Sequence, residues 1–131
     1  MVSASGPHAV DALNPHCKSR RVLELIADKW TVVIVYALSR GTARFSELER
    51  SIGNISQKML AQTLRTLERE GIVERTVYPT RPPQVDYALT PLGQTLFEAG
   101  RPLCEWAEAR YDEVEAAQFR YDEAQRAPVP E

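Results

Sequence analysis

The cysteine at position 17 is the residue in this sequence best suited to reactive chemistry. Cys17 lies in the segment HCKSRR, where its basic neighbours are His16, Lys18, Arg20 and Arg21. Positive charge stabilises a thiolate, which is the nucleophilic and oxidisable form of cysteine. We therefore expect Cys17 to react with oxidants or electrophiles. The alternative is that Cys17 is a small apolar residue packed at the start of a helix.

The second cysteine and the two histidines offer less chemistry. Cys104 follows Leu103 in an apolar helical pattern, where packing is the ordinary role, although it could act as a resolving partner for Cys17. The spacing of the two cysteines is not that of a metal site, so we expect neither zinc nor another cofactor. His8 and His16 are the only histidines, and a chain neighbour such as His16 rarely orients as a base for Cys17. We therefore do not expect an enzyme.

A second candidate site is a polar stripe on a helical segment, SQKMLAQTLRTLEREG, which runs from Ser56 to Gly71. Ser56 is a typical N-cap and Gly71 a typical C-terminal stop. Leu60, Leu64 and Leu67 recur at helical spacing and should face the core. The stripe on the opposite side comprises Gln57, Lys58, Ala61, Gln62 and Arg65.

The residue types of this stripe suit contact with DNA. Gln57 and Gln62 can pair with adenine edges, and Arg65 can bond guanine or phosphate. Ser56 and Lys58 suit the phosphate backbone, as does the N-terminus of the helix. The alternative is a solvated helix face, because polar residues lie opposite a leucine row on most surface helices.

The segment before this helix predicts its partner in a helix-turn-helix. Apolar residues recur at helical spacing over residues 45 to 52, and Ser46 with Glu49 has the S-x-x-E spacing of a capping box. Residues 51 to 54 form the turn between the two helices. In such a pair the second helix enters the major groove, because its diameter matches the width of the groove.

The segment after this helix predicts a β-hairpin. Residues 72 to 78 and the segment QVDYAL alternate in the way that strands do, and the proline-rich link PTRPP gives a stiff tip, or wing, that carries Arg81. Arg81 at the tip and Arg44 before the first helix of the pair are expected to reach flanking phosphates or the minor groove.

Two further helices precede this unit, and one long helix follows it. The first helix starts near Arg20. In KWTVVIVYALSRG the β-branched run from Thr31 to Val35 would suit a buried strand, but the length of the segment and the stop at Gly41 favour a second helix, buried on most sides. Thr90 and Pro91 supply the N-cap and first turn of the last helix. The predicted fold class is α+β and mostly α, a winged helix-turn-helix with additional N-terminal and C-terminal helices.

Composition agrees with one folded domain in a chain of 131 residues. We expect a flexible tail at residues 1 to 15, a folded domain from 16 to 120 and a second flexible tail from 121 to 131. No apolar stretch is long enough for a membrane helix and no signal peptide is evident, so we expect a cytoplasmic protein with no membrane partner.

The charge of the chain is divided unevenly. The formal net charge is −2, but residues 18 to 86 carry twelve Lys and Arg against eight Asp and Glu, whereas residues 87 to 131 carry four against nine. Binding to a polyanion depends on a local excess of positive charge. Only the first part of the chain is therefore a candidate for binding DNA.

The motifs together resemble the HxlR-type regulators, a branch of the winged-helix proteins related to the MarR group. The matching segments are Cys17, Lys29-Trp30, RFSELERSIGNISQKMLAQTLRTLEREGIVER, VYPTRPPQVDYALTPLG, Leu103 and Trp106-Ala107. The sequence departs from the family at Lys18 and Asp28, where members often have proline and glycine.

The resemblance implies a homodimeric repressor that binds double-stranded, pseudo-palindromic operator DNA. The dimerisation helices would be residues 17 to 28 and 91 to about 118. It also implies that a cysteine matching Cys17 senses a small electrophile or oxidant as inducer. Two alternatives remain open: a regulator of the same fold that responds to a small ligand, and a winged-helix protein-interaction module without DNA binding.

Overall fold

The computed structural model describes residues 13–14 and 16–127. Most of the tail expected at residues 1 to 15, including His8, and residues 128 to 131 of the second tail lie outside the described residues. The elements are α1 (Lys18–Ile26), α2 (Lys29–Leu38), β1 (Ala43–Arg44), α3 (Phe45–Ile52), α4 (Gln57–Arg69), β2 (Val73–Tyr78), β3 (Gln84–Leu89) and α5 (Pro91–Arg126). This order confirms the predicted fold class, a mostly helical α+β winged helix-turn-helix.

The core is built on the leucine face of α4. Leu60, Leu64 and Leu67 are each at most 1% exposed, which confirms the face predicted from their spacing. Full burial of a leucine side chain stabilises a fold by about 1.5–3 kcal/mol, so this row holds α4 firmly. The residues that complete the buried cluster come from α2, α3 and the start of the wing, and they are Ile34, Val35, Leu38, Leu48, Ile72 and Val73.

The wing is a three-stranded antiparallel sheet with the strand order β1-β3-β2. The alternating pattern predicted the two strands of the hairpin, and in the structure Val73 pairs with Leu89 and Tyr78 pairs with Gln84. The third strand, β1, was not predicted. It adds only two residues, of which Ala43 pairs with Tyr87, and two residues are too few to show a periodicity.

The start of α3 differs from the prediction. The N-cap is Arg44 rather than Ser46, and the backbone N–H of Arg44 donates to Oε1 of Glu47 at 2.8 Å. The capping box predicted from Ser46 and Glu49 is therefore wrong by two residues. The physical reason is that the chain enters α3 directly from β1, so the last strand residue occupies the cap position.

Helix α2 is buried on one side only, which corrects the expectation that it is buried on most sides. Val32 and Tyr36 are 46% and 52% exposed. The helix ends at Leu38 with Ser39 as its C-cap, two residues before Gly41. Its buried residues are Thr31, Ile34, Val35 and Leu38.

Contacts divide the described residues into two compact units, with the boundary between Phe97 and Glu98. The first unit contains the winged helix-turn-helix, and the second contains most of α5. Helix α5 continues to Arg126 with Pro102 inside it. Residues 121 to 126, which we expected in a flexible C-terminal tail, are therefore helical. The boundary between folded domain and tail that we placed after residue 120 stays a prediction.

A network of hydrogen bonds joins the end of α4, the wing and the start of α5. Gly71 has a φ of 79°, which favours glycine, and the N–H of Ile72 donates to the carbonyl of Leu67 at 2.9 Å. The N–H of Thr90 donates to the carbonyl of Ile72 at 3.0 Å. The hydroxyl of Thr90 accepts from the N–H of Gly93 at 2.9 Å, which confirms Thr90 as the predicted N-cap of α5.

Gly93 leaves no room for a side chain at this junction. A Cβ at this position would lie 2.2 Å from the carbonyl oxygen of Ile72, whereas a Cβ at Gly100 would meet nothing within 4 Å. We expect Gly93→Ala to lower the free energy of unfolding by about 1–3 kcal/mol through overpacking. Gly100→Ala should raise it by about 0.5–1 kcal/mol, because alanine favours a helix over glycine.

Urea unfolding followed by circular dichroism measures both variants against the wild type. Equal midpoints for Gly93→Ala and the wild type would contradict the tight junction.

Candidate nucleic-acid interface

The turn between α3 and α4 depends on two residues with positive φ. Gly53 has a φ of 66° and Asn54 a φ of 52°. The N–H of Gly53 donates to the carbonyl of Glu49 at 3.0 Å, which ends α3. The hydroxyl of Ser56 accepts from the N–H of Met59 at 3.0 Å, so Ser56 is the N-cap of α4, as predicted. The turn therefore fixes where α4 begins.

The predicted polar stripe of α4 lies on the surface of the first unit. Gln57, Lys58, Gln62 and Arg65 are exposed, while Ala61 is half-buried. The leucine face is buried on the other side, so the rotation of α4 about its axis is set by the core. The structure brings four predicted side chains together on one helix, with the exposed Ser56 at its N-terminus.

Arg81 lies in the connection between β2 and β3, where the sequence placed the wing tip. Its side chain is exposed, and the Arg81–Pro82 peptide bond is cis. The hydroxyl of Thr80 donates to the carbonyl of Pro82 at 2.9 Å, which ties the two sides of the tip together. Arg81 is thus available to a partner of the wing, apart from the α4 stripe.

Arg44 lies on the face of the sheet that is turned away from the core. Arg44 pairs with Asp86 across β1 and β3. Side chains alternate between the two faces of a sheet, so Arg44 and Asp86 lie on the face opposite to the buried Val73. Its guanidinium donates to Oε1 of Gln84 at 2.9 Å, and Nε2 of Gln84 donates to Oδ1 of Asp86 at 3.2 Å. Arg44 therefore projects from the face of the sheet opposite to the one that carries Val73 and Tyr87. Gln84 was not singled out in the sequence, because only the pairing of β1 with β3 brings it to Arg44.

Cys17 is the N-cap residue of α1 and is half-buried. Its backbone carbonyl accepts from the N–H of Arg21 at 3.3 Å in the first turn of the helix. Of the basic neighbours, Arg20 pairs with Glu24 at 3.2 Å, which offsets part of its charge. Cys104 is also half-buried, in α5. Each cysteine is a thiol rather than half of a disulfide within the chain.

Other kinds of site find no support in the part of the chain that the structure describes. Among residues 13–14 and 16–127, no three His, Cys, Asp or Glu side chains are grouped so that they could hold a metal ion. No described helix is both long enough and apolar enough to span a membrane.

Two helices joined by a tight turn and followed by an antiparallel wing define a winged helix-turn-helix protein. The HxlR-like helix-turn-helix family matches residues 25–115, and the chain belongs to this family. It is therefore a helix-turn-helix transcriptional regulator and not an enzyme.

Individual relatives agree with this assignment. The uncharacterized HTH-type transcriptional regulator YtfH of Escherichia coli (strain K12) is 48% identical over 98 residues, which cover 75% of this chain and 78% of YtfH. The structure of a proposed transcriptional regulator, ytfH from Salmonella typhimurium, is 41% identical, with a TM-score of 0.76 over 83% of this chain and 97% of that one. The redox regulator HypR in its reduced form is 38% identical, with a TM-score of 0.71 over 76% of this chain and 99% of HypR.

The cap of α4 can be tested by stability alone. Ser56→Ala removes the acceptor for the N–H of Met59, and we expect it to lower the free energy of unfolding by about 1 kcal/mol. Ser56→Asp retains an acceptor and adds a favourable charge at the helix N-terminus, so it should unfold at the wild-type midpoint or above. Urea titration measures both. If Ser56→Ala is as stable as Ser56→Asp, the cap does not hold α4.

Proposed function

We propose that this regulator binds double-stranded operator DNA by placing α4 in the major groove and the wing tip against the flanking backbone. The observation that carries the proposal is the exposed stripe of α4, Gln57, Lys58, Gln62 and Arg65, opposite a fully buried leucine face. This exposed side of α4 carries both side chains that can read bases and side chains that can bind phosphate. It therefore suits insertion in the major groove of DNA. Because its target is chromosomal DNA, the expected location is the cytoplasm.

The regulator acts as a homodimer in this proposal, and it represses the genes next to its operator. Apolar side chains remain exposed on α1 and, separately, along α5, which is the pattern of surfaces that a second copy covers. On α1 these are Val22 and Leu23, and on α5 they are Leu92, Leu103, Trp106, Tyr111, Val114, Phe119 and Tyr121. Two copies related by a twofold axis would present two α4 helices to the two halves of a pseudo-palindromic site.

Cys17 is the proposed sensor, with a small oxidant or electrophile as inducer. Two features favour its thiolate: the positive end of the α1 dipole at the N-cap, and the charges of Lys18 and Arg21 in the first turn. With a peroxide as oxidant, the Cys17 thiolate attacks a peroxide oxygen, so that an S–O bond forms, the O–O bond breaks and hydroxide or alkoxide leaves. A cysteine thiolate of the second copy can then attack the resulting sulfenic acid, which forms a disulfide and releases hydroxide. Similarity to the redox regulator HypR supports this role. The half-buried Cys104 is the candidate resolving thiol.

The base-reading role of α4 predicts a contrast between two of its residues. Gln62→Ala should weaken binding by about 1–3 kcal/mol to an operator that carries the adenine read by Gln62, and should leave binding to variants without that adenine unchanged. The preference for adenine at that position would therefore be lost. Lys58→Ala should weaken binding to all sequences alike and lower the slope of log K against log salt by about 1.

The measurement is a mobility shift with DNA from upstream of the regulator's own gene, its single-base variants and unrelated competitor DNA. Wild-type protein that retains no DNA at low salt would leave the protein-interaction module as the better account.

The sensor role predicts that oxidation releases DNA through Cys17. Diamide or a quinone should abolish the mobility shift of the wild type, and dithiothreitol should restore it after diamide. Cys17→Ser should bind DNA before and after treatment, because its hydroxyl cannot be oxidised in this way. Cys104→Ser tests the resolving role separately: a bridge between Cys17 and Cys104 of the second copy cannot form in this variant. Non-reducing electrophoresis shows whether a bridge forms between copies of each protein.

Release of DNA from Cys17→Ser by the same reagents would refute the sensor role of Cys17. If both proteins ignore the reagents, DNA binding stands and the inducer is a ligand that acts without thiol chemistry.

A further inference from the structure

A groove lies between α4 and the wing sheet, within the first unit. Its volume is about 290 Å³. One wall comes from α4 and the other from β2 and β3, and the lining residues are Ala61, Leu64, Arg65, Glu68, Arg75 and Tyr87. Ala61 and Arg65 also belong to the polar stripe of α4. The groove therefore opens beside the surface that the proposed function assigns to DNA.

The sheet register explains why Arg75 faces α4. Alternation along β2 puts Arg75 on the same face as Val73, which is only 2% exposed and belongs to the core. The cross-strand partner of Arg75 is Tyr87, which packs against the core from β3. Arg75 thus stands on the face that contacts α4, one step beyond the apolar pair of Val73 and Leu89. A charged residue at this point of the strand lies at the edge of the core, beside Arg65.

The charges that line the groove are not neutralised by ion pairs. Among the described residues, the ion pairs within 4.0 Å include neither Arg65 nor Arg75, and Glu68 pairs with neither arginine. By contrast, Arg69 at the end of α4 is paired with Glu70 at 2.8 Å. Two guanidinium groups therefore line the groove against one carboxylate, and both arginines are exposed to a partner.

We propose that this groove receives a backbone phosphate of the operator, held by Arg65 from α4 and Arg75 from the wing. The assignment rests on the proposed function. The groove is lined by Ala61 and Arg65 of the α4 stripe and by Arg75 and Tyr87 of the wing strands, so it adjoins the surface that the proposed function assigns to DNA. Guanidinium groups suit phosphate oxygens because their planar donors match the oxygens in pairs. Glu68 opposes the same phosphate and limits the affinity.

Arg75 then binds without reading sequence. A phosphate contact fixes the register of the protein on the duplex and contributes equally at every site. Each phosphate that is neutralised also releases about 0.9 counterion from the DNA. At 0.1 M salt this release strengthens binding roughly five- to tenfold. Arg75 would thus add to the strength of binding and its salt dependence, while Gln57 and Gln62 read bases.

The test compares Arg75→Ala with the wild type over a salt series, on the operator and on its single-base variants. We expect Arg75→Ala to bind every sequence about five- to tenfold more weakly at 0.1 M salt, with the salt slope reduced by about 1. Arg75→Lys should keep the wild-type salt slope, because it keeps the charge. Glu68→Gln should bind every sequence more tightly, because it removes the opposing charge. Arg126→Ala, which removes a positive charge at the end of α5, is the matched control and should bind as the wild type does.

The outcomes separate this inference from the proposed function. Wild-type protein that retains no DNA refutes the function itself. Wild-type protein that binds, with Arg75→Ala equal to Arg126→Ala, refutes only the phosphate site. A loss confined to some base variants would show that Arg75 reads base edges, which also overturns the assignment. Thermal unfolding of each variant checks that weaker binding does not result from an unfolded wing. A wild-type salt slope for Arg75→Lys would exclude an unfolded wing independently.

Discussion

The burial of the leucine face of α4 is the constraint on which the rest of the molecule depends. Leu60, Leu64 and Leu67 seat the helix against α2 and α3, and this contact fixes its rotation as well as its position. Because 3.6 residues make one turn, fixing the leucine row also fixes which side chains face outward. The polar stripe is therefore a consequence of core packing. A substitution that loosened the leucine row would change the direction of every side chain on the stripe at once.

Much of the fold could be predicted because its signals are local. The hairpin strands follow from alternation, and the limits of α4 follow from Ser56 and Gly71, whose roles as caps need only neighbouring backbone groups. What failed involved distant parts of the chain. The strand β1 exists only because β3 pairs with it, and that pairing moved the cap of α3 from Ser46 to Arg44. Patterns within one segment carry no information about such partners.

The candidate interface divides in the same way. Helical periodicity placed Gln57, Lys58, Gln62 and Arg65 on one exposed stripe. The sequence assigned Arg44 to the flanking DNA but could not say which face of the sheet it occupies, because the two faces can be assigned only when it is known which face packs on the core. Arg75 was missed for the same reason: its alternation with Val73 and Val77 was visible, but the position of that face next to α4 was not.

The junction at Thr90 ties the two ends of the wing to each other. Hydrogen bonds from the backbone N–H and the hydroxyl of Thr90 to the carbonyls of Ile72 and Gly71 close the base of the hairpin, and Gly93 packs directly on the same carbonyl of Ile72. These contacts hold the base of the hairpin without any contribution from residues of the tip. Lengthening a closed loop costs little, since its entropy changes only with the logarithm of its length. The tip from Pro79 to Pro83 can thus serve as an exchangeable module, in which new sequences adjust the reach of the protein along DNA while the helices keep their places.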